Sequence, residues 1–450
     1  MFFIYQFFFT ILIVFSPLVI IFRILKKKEH KKRFVEKFSL PTKRRIKGNL
    51  MWFHGASVGE ILSIIPLIKN YEKDDSIKQI LITSSTLSSS KVLEKFHFKK
   101  VVHQFYPIDQ LYFINKFLSY WRPNLAIFIE SEIWPCMFKI INEKKIPLIL
   151  LNARLTKKTF LKWFKLKNFS ISVFKNITVA YPQNLETKTY LKKFQTNKII
   201  QLGNLKFTED EQENFEQINL KLKNQFKDKK IWVASSTHAN EEVFCAKAHI
   251  ELKKKNKNQY KDKKIRVANK TNANEEVLCA KAQIKKKKKI KNLITVIIPR
   301  HVHRSRNIIS EIKNLNLKVV CHSSRLKSLK NIDIYIVDTF GETKKFHKVG
   351  SSVFLGGSII KRGGHNPLEA ARFGAKILHG PNVDNFKEVY KLLKTLKVAK
   401  KIQTSKKLAS SIIFRKNKIT GNKIKNIGEN ILKKTIKELN KIIFNEFKKT

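Results

Sequence analysis

The sequence predicts an α/β protein with two doubly wound domains behind an apolar N-terminal segment. Short apolar runs alternate with amphipathic segments, which is the pattern of buried parallel strands joined by helices. The alternation occurs twice, before and after a polar stretch at 208–230, and 450 residues are more than one hydrophobic core usually holds. The predicted parts are the apolar segment (1–22), a first domain (23–207), a linker (208–230) and a second domain (231–450).

The first element is the uncharged segment 1–22. At about 1.5 Å per residue, a helix of this length spans roughly 33 Å, which matches a bilayer core. Between Arg23 and Lys47 there are twelve basic and two acidic residues, so the charges follow the apolar run instead of preceding it as in a signal peptide. The positive-inside rule predicts an uncleaved membrane anchor with this flank in the cytoplasm. The alternative is a buried core helix, which apolar residues on every face disfavour.

The strands come next. The first domain is predicted to contain buried strands at Leu50–Phe53, Gln79–Thr83, Leu125–Glu130 and Ile146–Leu151. The second domain is predicted to contain strands at Ile231–Ala234, Ile294–Ile298, Ile334–Val337 and Val353–Leu355, followed by a helical pattern over 391–450. Because open α/β sheets bind ligands at the carboxyl ends of their strands, polar residues directly after these runs are the candidate site residues.

Carboxylates follow two strands of the first domain. In Met51–Glu60, a strand ends in a Gly/Ser turn and Glu60 begins the next helix. A partly buried carboxylate there suits general-base catalysis, and the alternative is a glutamate stabilised by the helix dipole. Glu130 and Glu132 follow another strand and would share one face if that strand continued. Lys206 lies at the domain junction.

In the second domain, two Gly pairs follow a strand within Gly356–Phe373. Asn366 and Pro367 then begin a helix, with Glu369 in its first turn. Backbone N–H groups and the dipole at such a start attract phosphate, and Glu369 suits ribose hydroxyls. The alternative is an ordinary tight strand–helix turn.

Two other strand ends in the second domain carry polar residues. Arg300 follows one strand, where a guanidinium suits phosphate or carboxylate. Gly341 follows another and allows a close backbone approach to a ligand. His301 and His303 are adjacent in the same region, but two histidines without a nearby carboxylate are more often solvated than metal-ligating.

The second domain also contains an internal repeat. Residues 227–258 and 261–292 align with 23 of 32 positions identical. Because a solenoid needs at least three units, this is a tandem duplication. Trp232 and His238 of the first copy are replaced by Arg266 and Asn272, so we expect the first copy to keep the original role. The alternative is that these exchanges are random drift.

The net charge of +58 comes from 92 basic and 34 acidic residues. Such a charge is typical of proteins with a polyanionic partner, either nucleic acid or an anionic membrane. An A+T-rich coding sequence would also enrich lysine. No RNP-like motif, recognition-helix pattern or zinc spacing accompanies the charge, and four cysteines without CxxC argue against a disulfide scaffold.

Ten motifs, taken in order, resemble the 3-deoxy-D-manno-octulosonic acid (Kdo) transferases of lipopolysaccharide assembly, which are GT-B glycosyltransferases. They are HGASVGE (54–60), YPID (106–109), ESEIWP (130–135), LNARLT (151–156), GNLKF (203–207), SSTH (235–238), PRH (299–301), DTFGE (338–342), GGS (356–358) and GGHNPLEAA (363–371). The resemblance implies two Rossmann-like domains facing a cleft. The sequence departs from the family pattern at Thr208, where Asp is usual, at 83–90, where a Gly is usual, and at the duplication.

The resemblance also implies a function. The donor would be CMP-Kdo, bound mainly by the second domain, and the acceptor a lipid A precursor (lipid IVA), bound by the first domain at the membrane. Transfer would invert the anomeric centre without a metal or other cofactor. Glu60 would be the proton acceptor, with Glu130 and Lys206 as transition-state stabilisers. The CMP-binding residues would be Pro299, Arg300, Phe340, Gly341, Glu342, Asn366, Pro367, Leu368 and Glu369.

The expected location is the inner membrane, with a single pass and both domains on the cytoplasmic side. An anionic membrane surface would be a partner, and nucleic acid would not. Two alternative functions stay open from the sequence: a GT-B transferase for another nucleotide sugar, and a membrane-tethered nucleic-acid-binding protein, which the charge alone supports.

Overall fold

The computed structural model describes residues 1–208, 224–258, 292–324 and 328–447. The chain divides into two compact units, which are Met1–Glu211 with Asn426–Thr450, and Gln212–Lys425. The second copy of the repeat and most of the expected linker lie outside the described residues.

The N-terminal unit contains a parallel sheet of seven strands in the order β3-β2-β1-β4-β5-β6-β7. The strands are β1 (Leu50–His54), β2 (Gln79–Ser84), β3 (Val101–Phe105), β4 (Leu125–Ile129), β5 (Leu148–Ala153), β6 (Val179–Pro182) and β7 (Lys198–Ile199). The order reverses between β1 and β4, so the switch point where such sheets bind ligands lies beside the ends of these two strands. Every residue of β1, β2, β4 and β5 is buried, which explains their continuous apolar sequences.

Helices cover this sheet. They are α1 (Phe2–Leu25), α2 (Val58–Tyr71), α3 (Leu87–Glu94), α4 (Leu111–Trp121), α5 (Pro135–Glu143), α6 (Lys157–Phe164), α7 (Lys167–Phe174) and α8 (Leu185–Lys193). Between α4, α5 and the sheet lies an aromatic core in which Trp52 contacts Phe117 and Phe128, with ring centroids 4.9 and 5.1 Å apart.

The C-terminal unit repeats the plan with the strand order β10-β11-β9-β8-β12-β13-β14. Its strands are β8 (Lys230–Thr237), β9 (Leu293–Pro299), β10 (Val319–Cys321), β11 (Ile334–Ile336), β12 (Ser352–Leu355), β13 (Lys376–His379) and β14 (Ala399–Lys401). Here the order reverses between β8 and β12. The first copy of the repeat forms β8 and the helix that follows it.

The helices that follow are α9 (Glu241–Asn258), α10 (Ser305–Lys313), α11 (Thr343–Val349), α12 (Leu368–Arg372), α13 (Lys387–Thr395), α14 (Ser405–Ser411) and α15 (Lys418–Phe447). The last of these, α15, runs past the boundary at residue 425, so 426–450 group with the N-terminal unit, whereas the sequence predicted them in the second domain. The Tyr71 hydroxyl donates to Asn440 Oδ1 at 3.0 Å. An amphipathic pattern identifies the apolar face of such a helix but not the core that receives it.

The predicted α/β class is confirmed, but several strands were missed. The pattern predicted none of β3, β6, β7, β10, β13 and β14, which are short or carry polar residues. The region 391–450 is not wholly helical, because it contains the mostly exposed β14.

The apolar segment at the N-terminus forms α1. Within the described residues, no single helix has both the length and the apolar composition to cross a membrane. The two parts Phe2–Ile11 and Ile13–Leu25, which are bent by 48° relative to each other, meet these criteria together. Pro17 accounts for a bend here, because it lacks the N–H that would bond the Ile13 carbonyl. The Ser16 hydroxyl donates to that carbonyl instead, at 2.7 Å.

Candidate functional site

Glu60 lies where sequence analysis expects it, in the first turn of α2 just after β1. The Ser57 side chain and Glu60 form a capping box. Glu60 Oε2 accepts hydrogen bonds from the backbone N–H of Ala56 at 2.6 Å and of Ser57 at 3.2 Å. These bonds fix the carboxylate at the switch point of the sheet. The helix-capping role and a general-base role are therefore compatible in this structure.

The environment of Glu60 favours its protonated form more than water does. Burial is the main cause, and the negative charges of Glu132 and Glu130 add to it, so the pKa of Glu60 rises to about 7 although the Ser57 hydrogen bonds oppose the rise. A carboxylate with a pKa near the working pH is suited to accept a proton during catalysis.

Glu132 belongs to a buried polar network at the end of β1. Glu132 Oε2 lies 3.1 Å from His54 Nε2 and accepts a hydrogen bond from Trp134 Nε1 at 3.0 Å. The other ring nitrogen of His54 lies 3.0 Å from Thr83 Oγ1, and the ring stacks on Tyr106 with centroids 3.8 Å apart. The carboxylate that raises the pKa of Glu60 is thus held in place by fixed neighbours.

Glu130 and Lys206 form a buried ion pair. Glu130 Oε1 lies 2.7 Å from Lys206 Nζ, with the two side chains 6 % and 12 % exposed. The strand ends at Ile129, so the expectation that Glu130 and Glu132 share one face of a continuing strand is wrong. Glu130 instead adopts a left-handed conformation with φ 56°, which is uncommon for a residue with a Cβ and costs conformational free energy.

The neighbour of this pair, Asn152, has the same unusual backbone, with φ 53°. Its Oδ1 accepts a hydrogen bond from the Leu205 N–H at 3.0 Å, and so it anchors the turn that carries Lys206. Thr208, which replaces the usual Asp, donates from Oγ1 to the Leu205 carbonyl at 2.7 Å. An ionised aspartate has no proton to donate to this carbonyl, so the hydrogen bond of Thr208 differs from any that the usual Asp would make.

In the C-terminal unit, the Gly pair after β12 forms a turn around a buried carboxylate. Glu241, in the first turn of α9 and fully buried, accepts from the N–H groups of Gly357 (2.7 Å), Ser358 (3.2 Å) and Ile359 (3.0 Å). A Cβ on Gly356 would lie 2.3 Å from the Ser236 carbonyl oxygen, so only glycine fits there. Sequence analysis missed Glu241, although an acidic pair following SSTH was the available signal.

The Glu241 carboxylate accepts the hydrogen bonds of these N–H groups. It therefore already occupies the anion-binding position that the turn at the first Gly pair forms. The second pair is also engaged, since the Gly364 N–H donates to the Gly357 carbonyl at 2.9 Å. Asn366 Oδ1 accepts from the Leu368 N–H at 3.1 Å, and Pro367 occupies the N-cap position of α12. Because α12 has only five residues, it contributes a small dipole.

Histidines and arginines surround this turn. His365 Nε2 lies 3.4 Å from His238 Nε2, and the ring of His238 lies 5.9 Å from that of His301. Burial, followed by the charge of Arg300, lowers the pKa of His365 to about 4, and burial also lowers the pKa of His238. Both rings are neutral at pH 7 in this state, and an anion bound beside them would favour protonation.

The other predicted CMP-binding residues have different environments. Arg300 follows Pro299 at the end of β9, and its N–H donates to the Thr237 carbonyl at 2.9 Å, which places it at the switch point beside β8. Phe340 is 83 % exposed. Glu342 pairs with Lys345 at 3.1 Å, and Glu369 pairs with His347 at 3.1 Å, so the ribose contact expected of Glu369 would compete with this pair.

Two further features bear on the site. Asp109 of YPID is buried and accepts from the N–H groups of Cys136 (3.1 Å) and Met137 (2.8 Å), so it caps α5. Among the described residues, no group of three His, Cys, Asp or Glu side chains has an arrangement that could hold a metal ion.

Comparison with known proteins adds independent information. The family model described as 3-deoxy-D-manno-octulosonic-acid transferase (kdotransferase) matches residues 32–209. The chain is 34 % identical to the 3-deoxy-D-manno-octulosonic acid transferase of Rickettsia typhi, over 88 % of this chain and 78 % of that protein. It is 31 % identical to the protein of the same description from Rickettsia bellii, over 95 % of this chain and 94 % of that protein.

Among solved structures, a glycosyltransferase from Rickettsia africae is similar with a TM-score of 0.50 and 9 % identity, over 88 % of this chain and 99 % of that chain. At this identity the likeness concerns the fold alone. Together with the two parallel seven-stranded sheets, it confirms the expected GT-B-like architecture.

Proposed function

The chain belongs to the family of 3-deoxy-D-manno-octulosonic acid transferases, and on this premise we propose that it transfers Kdo from CMP-Kdo to the lipid A precursor lipid IVA. The transfer inverts the anomeric centre and needs no metal ion. The observation that carries the proposal is the position of Glu60 at the switch point of the N-terminal sheet, where the N–H groups of Ala56 and Ser57 hold its carboxylate and its pKa is raised.

In the proposed reaction, the bond between C2 of Kdo and the phosphate oxygen of CMP breaks, and the acceptor hydroxyl oxygen bonds to C2. Glu60 takes the proton of that hydroxyl. Because the hydroxyl attacks the face opposite the departing CMP, the configuration inverts. Negative charge grows on the phosphate as it leaves, and positive charge grows on the sugar ring.

Side chains of both units have charges that suit these changes. Arg300, at the end of β9, and the adjacent histidines suit the phosphate of the leaving CMP. Glu130 and Lys206 form a buried pair whose charges suit transition-state stabilisation, because electrostatic interactions are stronger where water is excluded. We propose that these protein cations take the part that a metal has in other nucleotide-sugar transferases.

The proposed location follows from the acceptor. Lipid IVA is a membrane lipid with anionic phosphates, so the enzyme would act at the cytoplasmic face of the inner membrane, which α1 and the basic segment 23–47 would contact. Anionic lipid head groups would then attract some of the basic side chains that give the net charge of +58.

The test is incubation of membranes containing the protein with CMP-Kdo and tetra-acylated lipid IVA, followed by mass spectrometry of the lipid product. We expect masses increased by one or more Kdo units, and none with Glu60→Gln. An unchanged acceptor with wild-type protein, in membranes where a known transferase is active, would contradict the proposal. Addition of EDTA should leave the rate unchanged, and loss of activity would contradict metal independence.

A further inference from the structure

One face of α1 is shielded by protein along the whole helix. The residues that are at least partly buried recur every three or four positions, which is the spacing of one helical face. They are Phe2, Tyr5, Gln6, Phe9, Ile13, Ser16, Ile20, Arg23 and Ile24. A helix that leaves a protein to cross a bilayer would show such shielding only at the end where it leaves.

The beginning of α1 is bonded to the fold of the N-terminal unit. The Tyr5 hydroxyl donates to Asp109 Oδ2 at 2.8 Å, and Gln6 Nε2 donates to the Asp109 carbonyl at 3.3 Å. Gln6 Oε1 accepts from the Leu111 N–H at 3.1 Å. The Phe2 ring packs on Phe169 of α7 with centroids 5.1 Å apart. Asp109 also caps α5, so these contacts attach the helix to the structural core.

The end of α1 is tied to the same unit. Arg23 Nε lies 3.1 Å from Glu29 Oε2, and Glu29 is buried. The following segment then joins the edge of the sheet, where Glu36 Oε2 accepts from the Phe105 N–H at 2.8 Å and the Lys37 carbonyl accepts from the Ile108 N–H at 2.9 Å. Both ends of the helix are therefore held by contacts within the N-terminal unit.

The opposite face of α1 is apolar and exposed. Large side chains that are at least 40 % exposed cover it from end to end; they are Phe3, Ile4, Phe7, Phe8, Ile11, Val14, Phe15, Leu18, Val19, Ile21, Phe22 and Leu25. A continuous apolar surface of this kind requires a partner. Lysines at 26, 27, 28, 31 and 32 follow it directly, which favours an anionic partner.

A second exposed apolar group lies on the elements that hold the beginning of α1. At the junction of α6 and α7, which we call the elbow (157–167), the apolar side chains of Leu161 (49 %), Phe164 (40 %) and Leu166 (48 %) are exposed. The elbow also contains five exposed lysines and no acidic residue. Apolar side chains interleaved with lysine are typical of segments that lie in the interface of an anionic membrane.

We propose that α1 lies in the plane of the membrane, with its exposed face among the acyl chains of one leaflet of an anionic bilayer and the elbow inserted beside it, instead of crossing the bilayer. If α1 crossed the bilayer, Tyr5 and Gln6 would lie on its far side. Their partners Asp109 and Leu111 would then have to lie there too, away from the sheet of the unit to which Asp109 and Leu111 belong. The inference extends the proposed membrane location of the protein, and it concerns attachment, not transfer.

The test is the position of the N-terminus in native membranes. The full chain carries one epitope before Met1 and a different one after Thr450, and protease accessibility is compared in inside-out and right-side-out vesicles. We expect both epitopes to be cleaved in inside-out vesicles and protected in right-side-out vesicles. Cleavage of the N-terminal epitope only in right-side-out vesicles would overturn the proposal. Kdo transfer by the same vesicles reports separately on the proposed function.

A second measurement tests the elbow. The triple variant Leu161→Ser, Phe164→Ser, Leu166→Ser should be released from membranes by alkaline carbonate at least threefold more than wild type, because in-plane attachment depends on buried apolar area. The matched control is Leu185→Ser, whose side chain is 70 % exposed on α8 of the same unit. Equal release of the two variants would contradict a role of the elbow in attachment.

Discussion

Lys206 Nζ lies 2.7 Å from Glu130 Oε1, in a pair that is nearly removed from solvent. The two residues are 76 positions apart, and the contact depends on the left-handed backbone of Glu130 at the end of β4. Burying two charges costs free energy that their attraction seldom exceeds by much. A strained backbone and a costly ion pair at a sheet switch point favour a catalytic role over a purely structural one.

Single and double substitutions of this pair separate the two roles. Lys206→Met leaves the Glu130 carboxylate buried without its cation and should lower the free energy of unfolding by about 3–5 kcal/mol. The double variant Glu130→Gln, Lys206→Met removes both charges and should recover most of that loss. Transfer should remain at least a hundredfold below wild type in both variants, because the charges themselves are missing.

Denaturant unfolding and initial rates of transfer would measure the two effects. Lys139→Met is the matched control, since Lys139 pairs with Glu143 on the surface of α5 and should change neither quantity appreciably. If the double variant regained activity together with stability, the pair would be structural only.

The pKa of Glu60 predicts the pH dependence of transfer. A general base acts in its deprotonated form, and burial with two neighbouring carboxylates raises the pKa of Glu60 to about 7. We therefore expect kcat/KM to reach a plateau above pH 8 and to fall about tenfold per pH unit below pH 6. Glu60→Gln should abolish transfer while CMP still binds.

The Glu132→Gln variant tests why the pKa of the Glu60 carboxylate is raised. It removes a negative charge that raises the pKa of Glu60, so the midpoint of the pH–rate profile should move to lower pH. The surface variant Glu143→Gln should leave the midpoint in place. A midpoint near 4 in wild type would show that the environment does not raise the pKa of the catalytic carboxylate.

Glu241 should be essential to the Gly turn of the C-terminal unit. Glu241→Ala leaves the N–H groups of Gly357, Ser358 and Ile359 without their acceptor, and each buried donor left unbonded costs about 1–3 kcal/mol. We expect a clear loss of thermal stability together with weaker CMP binding, measured by differential scanning calorimetry and by titration. Glu311→Ala, on the exposed face of α10, is the control. Unchanged CMP affinity with Glu241→Ala would show that the turn does not position the nucleotide.

The neutral histidines beside that turn predict proton uptake on nucleotide binding. Without ligand, burial and Arg300 hold the pKa of His365 at about 4. A phosphate nearby stabilises the imidazolium, so its pKa should rise on binding, and CMP affinity should increase as pH falls from 7.5 to 5.5. Isothermal titration in buffers of different ionisation enthalpy measures the uptake. His365→Gln should remove most of it, whereas wild-type heats that do not depend on the buffer would contradict the prediction.

The sequence predicted the residues after strand ends better than it predicted the contacts among them. Glu60, Glu130 and Arg300 were identifiable because apolar runs locate strands and topology brings strand ends to one edge. Two contacts were not identifiable: the ion pair of Glu130 with Lys206, and the hydrogen bonds from the N–H groups of the Gly turn to Glu241. They depend on single backbone conformations and on residues more than 70 positions apart, which periodicity does not report.

The apolar N-terminal segment illustrates the same limit. Composition predicts a membrane anchor at 1–22, because uncharged apolar residues occupy every face. The polar contacts of Tyr5 and Gln6 with the α4–α5 region are what distinguish a helix lying along the fold from one leaving it. Two such residues in an apolar run do not change a composition-based prediction.

The duplicated segment provides the last prediction, which concerns removal of residues 259–292. The first copy forms β8 and α9 and supplies Glu241 and His238, so the residues that the site needs stand outside the deletion. The cut joins Asn258 directly to Leu293 of β9. Asn258 then replaces its repeat equivalent Asn292, whose carbonyl accepts from the Lys230 N–H at 3.0 Å and whose left-handed φ of 71° asparagine tolerates well. The end of α9 has to unwind to make the connection, which costs little on a lysine-rich surface.

We expect transfer within about threefold of wild type and an unchanged pH–rate profile, whereas the matched deletion of 225–258, which removes the first copy, should abolish transfer. Equal loss in both deletions would show that the second copy also contributes to the site.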